Sequence, residues 1–182
     1  MRTGQGAQFV RPGLNERRGK AISPGQMQLT IDNEASAAMS RLTAIRLALL
    51  TSRAMENWRA GVGDNESAMI LLAVVAITGE RLTRTELPQD LCSVATPLPP
   101  GYAAGCNISS IAAATGLNRE TTRRKVSALI ERGYLNRSPS GEICFPASRQ
   151  QDPSTLDFLR RQLEAVTRFA NDAIRDGVLK AA

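Results

Sequence analysis

Apolar residues recur at helical spacing in three stretches of the chain. In the first, Ala35, Ala38, Leu42, Ile45 and Leu49 step by three and four. This predicts one long helix over residues 32–58 with a single apolar stripe. Gly61 and Gly63 then stop it, and Asp64 and Asn65 offer caps for the next helix. The second stretch, 66–80, is apolar nearly all round, which predicts a central helix. Its longest apolar run, 68–77, has ten residues; a membrane span needs about 20, so no span is expected there. In the third, Leu156, Leu159, Leu163, Val166, Ala170 and Ala173 step by 3, 4, 3, 4 and 3. That is the seam of a coiled coil or helix bundle. Asp152 is placed to cap this helix, Pro153 suits its first turn, and Gly177 is the expected stop.

Two stretches lack such a period. Residues 1–30 are rich in Gly, Gln, Arg and Pro, and Arg2, Arg11, Arg17, Arg18 and Lys20 stand against Glu16 alone. A disordered basic arm is expected. Residues 82–91 suggest a short helix interrupted by Pro88, and Pro97, Pro99, Pro100, Gly101 and Gly105 break regular structure beyond it. The segment 81–105 is therefore read as a loop insertion.

Residues 107–146 carry the densest local signals. A short helix from Asn107 buries Ile108 and Ile111, and the small Ala112 lets another helix approach. Thr115-Gly116-Leu117 makes a tight turn, with Gly116 able to take the left-handed conformation. Asn118 is a good N-cap for the next helix. On that helix Thr122, Val126, Leu129 and Ile130 lie at i, i+4, i+7 and i+8, forming a buried stripe. Glu120, Thr121, Arg124 and Glu131 point away from it, Arg123 and Ser127 lie on one flank, and Lys125 lies on the other. Gly133 is the expected C-terminal stop. Two extended runs, 134–138 and 142–145, around Pro139-Ser140-Gly141 predict a β-hairpin with Arg137 near its tip.

Composition narrows the chemistry. Apolar residues make up 42% of the 182, but aromatics only 4%, so the core must be aliphatic and the fold mainly α. The formal charge of +6 favours a polyanionic partner. The chain has no histidine, which excludes Ser-His-Asp and Cys-His nucleophile systems. Cys92, Cys106 and Cys144 form no CxxC pair and do not complete a four-ligand zinc site. Their odd number suits a reducing compartment. Cys144 is read as a small buried hydrophobe, and Met55 and Trp58 as core. With no phosphate-cradling loop, no metal-spaced carboxylates and no exported leader in residues 1–30, the expectation is a cytoplasmic non-enzyme without cofactor or membrane partner.

The run Gly116-Leu117-Asn118-Arg119-Glu120-Thr121-Thr122-Arg123-Arg124, followed by Leu129, Glu131-Arg132-Gly133 and Tyr134-Leu135, resembles the recognition helix and wing entry of winged helix-turn-helix transcriptional regulators. The layout is similar to the MarR type, and GntR-type regulators share much of the pattern. The resemblance covers about 40 residues. Two departures are the long segment 81–105 and Thr122, where an aliphatic residue is usual. The resemblance implies a winged helix-turn-helix over 66–148, flanked by a dimerising helix at 31–65 and another at 149–182. It implies sequence-specific binding of double-stranded DNA by a homodimer, acting by operator occupancy. The DNA-facing set would be Asn118, Arg119, Glu120, Thr121, Arg123, Arg124, Lys125, Arg137, Ser138, Ser140 and Gly141. A small-molecule effector stays open. So do two other readings: a winged-helix adaptor that contacts protein without DNA readout, and a replication or partition protein.

Overall fold

The computed structural model describes residues 28–84, 87–99, 102 and 104–182. The expected basic arm lies outside the described residues up to position 27, as do positions 85–86, 100–101 and 103 of the loop. Among the described residues the fold is mainly helical, with two small antiparallel strand pairs.

The first expected helix is divided. Asp32 accepts from the Ala35 N–H at 2.8 Å and caps α1, Asn33–Ala38. The chain kinks at Met39 before α2, Ser40–Val62. Gly61 is taken up within α2, and Gly63 closes it at φ 96°, its N–H donating to Arg59 O at 2.7 Å. α3 runs Asn65–Arg84, four residues past the expected end. Asp64 accepts from both the N–H and the hydroxyl of Ser67, at 2.9 and 2.7 Å, and so satisfies the free start of α3. Beyond it, Pro88 precedes a single 3-10 turn, Gln89–Cys92, and no longer helix forms there.

The remaining helices are α4, Ile108–Thr115; α5, Arg119–Glu131; the short α6, Ala147–Gln150; and α7, Pro153–Arg175. The core gathers on α3. Ile70 and Val74 are buried together with Val62 from α2, Ile111 from α4, Val126 and Leu129 from α5, and Leu135 and Ile143 beyond. α3 is apolar nearly all round because it packs against α2, α4, α5 and the hairpin at once.

Strands β2, Asn136–Arg137, and β3, Ile143–Cys144, form the expected hairpin, with Arg137 opposite Ile143. Cys106 adds a bridge on the far side of β3. Its N–H donates to Ile143 O at 2.9 Å, and Ile143 N–H donates back at 2.7 Å. The adjacent Gly105 is tight: a Cβ there would collide with the Cβ of Glu142. A glycine at that point lets the strand lie against the hairpin.

The second strand pair was not expected. β1, Leu29–Ile31, runs antiparallel to β4, Leu179–Ala181. Leu29 and Thr30 therefore belong to a strand and not to the basic arm, and the stretch after Gly177 is not helical. Lys180 pairs with Asp32 beside this ladder, and its ammonium holds the Asp32 carboxyl below the usual range. One turn inward, Arg46 on α2 bonds Asp176 and lies 3.7 Å from Asp172 on α7. These contacts fix the two long helices side by side.

The heptad-like seam of α7 turns away from this contact. Leu156, Leu163 and Val166 are 57%, 65% and 51% exposed, while Ala173 alone of the seam is buried. On α2, Leu42, Ile45 and Leu49 are exposed as well. Among the described residues, no single helix is long and apolar enough to cross a membrane.

Candidate nucleic-acid interface

The turn between α4 and α5 is built by local rules. Asn107 caps α4, accepting from Ser110 N–H at 2.9 Å. Gly116 takes φ 72°, and its N–H donates to Ala112 O at 2.9 Å. Asn118 then caps α5 by accepting from Glu120 N–H at 2.8 Å. One side of α5 is locked into the core: Thr122, Val126 and Leu129 are buried. Thr122 stands at an apolar position without penalty because its hydroxyl donates to Asn118 O at 3.0 Å.

The opposite side of α5 is in solvent. Asn118, Arg119, Glu120, Arg123 and Arg124 are exposed, and Thr121 is half-buried. Arg123 is held by Glu120, donating from Nε at 3.0 Å and from Nη2 at 2.5 Å. The guanidinium keeps the Glu120 carboxyl below its ordinary range. Arg119 and Arg124 have no acidic partner among the described residues.

Lys125 differs from its expected place. It reaches back to α3, 2.8 Å from Asp64 Oδ1 and 3.3 Å from Glu66 Oε2. These two carboxylates raise its ammonium above the usual lysine range. It docks α5 on α3 and does not add charge to the outer face. Burial pushes the Asp64 carboxyl up, but Lys125 and the two Ser67 donors outweigh it and hold it down to about 2. Asp64 therefore stabilises the fold fully above pH 3.8, and this contribution fades as pH falls towards 2. The carboxylate is 43% exposed, so solvent screening limits the pair to roughly 0.2–1 kcal/mol. Asp64→Asn is expected to flatten the acid limb of a melting-temperature profile between pH 5 and 2 by about that amount. An unchanged profile would show that the pair contributes nothing to stability.

The hairpin tip is internally bonded. Arg137 donates to Gly141 O at 3.0 Å, and Ser138 and Ser140 hydroxyls lie 2.7 Å apart. Ser140 also donates to Glu142 at 3.2 Å, and Gly141 takes φ 86°. Arg137, Ser140 and Gly141 are exposed, and Ser138 is half-buried. The tip therefore presents an internally bonded turn that carries the Arg137 guanidinium and the Glu142 carboxylate.

Three contacts behind this surface were not foreseen. Arg132 donates to Val62 O at 2.8 Å, Tyr134 donates to Gly61 O at 2.5 Å, and the Arg149 guanidinium lies 4.4 Å from the Tyr134 ring centroid. The first two satisfy free carbonyls at the end of α2, where cations and donors are favoured. The only sequence signal for them is the cationic and phenolic character of residues following a predicted helix. Among the described residues no three His, Cys, Asp or Glu side chains converge as a metal site. Comparison with models of protein families, with curated proteins and with solved structures finds no match to this chain.

Proposed function

We propose that this protein is a winged helix-turn-helix regulator that binds duplex DNA sequence-specifically and acts by occupying an operator. The observation that carries the reading is the division of α5. Its inner face is buried, while Arg119, Arg123 and Arg124 stand in solvent on the outer face. A helix presenting guanidinium groups suits the major groove, where arginine pairs with guanine edges. The exposed start of α5 adds N–H groups for a phosphate, and the hairpin with Arg137 is sized to reach the flanking backbone. In this reading Lys125 positions the helix and the other named residues meet DNA. A homodimer joined by the exposed seams of α2 and α7 would present two such helices to two half-sites.

The adaptor reading draws on a different observation. Glu120 ties down Arg123, and Asp64 and Glu66 take Lys125. This lowers the positive charge offered to phosphate. Retention on immobilised random duplex DNA separates the two. A DNA reader is expected to bind at low salt and to lose affinity linearly on a logarithmic salt scale, with a slope of about −0.9 for each phosphate contacted. Failure to bind at low salt would favour the adaptor.

A further inference from the structure

Arg123 and Glu120 are joined along one edge of the guanidinium. Nε donates to Glu120 Oε2 at 3.0 Å, and Nη2 donates to Glu120 Oε1 at 2.5 Å. The contact is side-on and bidentate, so it fixes the plane of the guanidinium as well as its position. Both side chains are more than 60% exposed, and an ion pair in that setting contributes little to folding. A guanidinium carries five N–H groups. Glu120 takes the one on Nε and one on Nη2. This leaves the end-on edge, one N–H each from Nη1 and Nη2, and nothing accepts from it among the described residues.

Two parallel donors on one edge match the O6 and N7 acceptors that guanine presents in the major groove. The pair borders a recess of about 360 Å³ at the start of α5, walled by Ile108, Asn118 and Arg119, which leaves room for a base edge beside it. Charge divides the outer face of α5 further. Arg119 and Arg124 have no acidic partner among the described residues, whereas Arg123 with Glu120 is neutral as a unit. A neutral unit gains little from phosphate, whose attraction is a charge effect. A fixed donor edge gains from the base that matches it. We propose that Glu120 and Arg123 form one unit that reads a guanine: the carboxylate holds the guanidinium side-on, and the free end-on edge donates to O6 and N7. Glu120 is then a positioning residue and touches no base. The unit presupposes that α5 enters the major groove, the reading proposed above, and adds the base that this part of the helix selects.

The test selects a site from random duplexes with the full chain. Each guanine of that site is then replaced by adenine, with its partner changed to match, or by 7-deazaguanine, which lacks the N7 acceptor. One guanine is expected at which both replacements weaken wild-type binding, by about tenfold for adenine. Arg123→Ala should abolish the preference at that guanine and keep preferences elsewhere in the site. Glu120→Ala should reduce the preference at the same guanine while binding to random duplex holds or strengthens. The double variant should lose no more preference there than Arg123→Ala alone, because the two residues act as a unit. All three variants should melt near the wild-type temperature, as exposed substitutions do. An ion pair that served only the fold would lower every affinity together and leave the base preference in place. The proposal is overturned if the wild type binds duplex DNA and no guanine answers to Arg123→Ala. It is equally overturned if Glu120→Ala keeps the full preference at that guanine, or acts at a different position. In each of those outcomes duplex binding persists, and the reading of the protein as a DNA binder stands. A wild type that binds no duplex at low salt sinks both.

Discussion

Arg124→Ala is expected to leave thermal stability nearly unchanged and to weaken duplex binding by about 1–3 kcal/mol. Leu129→Ala should do the opposite. Arg124 is exposed and free of acidic partners among the described residues, so its loss disturbs no packing. Leu129 is buried at the centre of the core shared by α3, α4 and α5. Its truncation should cost about 2–5 kcal/mol of folding stability and reduce binding only through unfolding. Thermal melts and fluorescence anisotropy on a selected duplex separate the two effects. Arg124 is a cleaner probe than Arg123, because Arg123→Ala also releases Glu120, whose carboxylate would then repel phosphate. Glu120→Ala should free Arg123 and strengthen non-specific binding. If the Arg123→Ala, Arg124→Ala double variant bound duplex DNA like wild type at physiological salt, α5 would not be the reading element.

The second large effect concerns self-association. At micromolar concentration the wild type is expected to sediment at twice the 19.6 kDa of one chain. Leu163→Lys with Val166→Lys should return it to one chain and leave it folded. Both residues are more than half exposed in the single chain, so lysine is tolerated there unless a second copy covers them. Burying each such side chain contributes about 1.5–3 kcal/mol, and a two-fold interface counts each one twice. A monomeric wild type by sedimentation would leave the seams without this role.

Much of the fold was legible because the rules that build it are local. The caps Asp152, Asn118 and Asp64 act within two or three residues, and so does the Gly116 turn. The stripe of Thr122, Val126 and Leu129 is a property of one helix. What escaped reading depends on distance. Lys125 meets Asp64 from 61 positions away, and a lysine on a helix flank looks the same whether it faces water or a neighbouring helix. The α7 seam was visible as a pattern, but periodicity does not say whether it faces its own chain or solvent. The kink at Met39 has no Gly or Pro to announce it. β1 and β4 are three residues each, too short for an alternation to stand out.

That strand pair has a mechanical consequence. Leu29 faces Ala181, and Ala182 N–H donates to Gln28 O at 2.7 Å, so both strand ends leave the ladder at the same edge. A load applied between residues 28 and 182 peels the strands apart one rung at a time and does not shear all rungs together. The clasp resists thermal fraying of α1 and the end of α7, yet it yields to tension in sequence. The Asp32–Lys180 pair and then Arg46 with Asp176 take up the load before α2 and α7 separate.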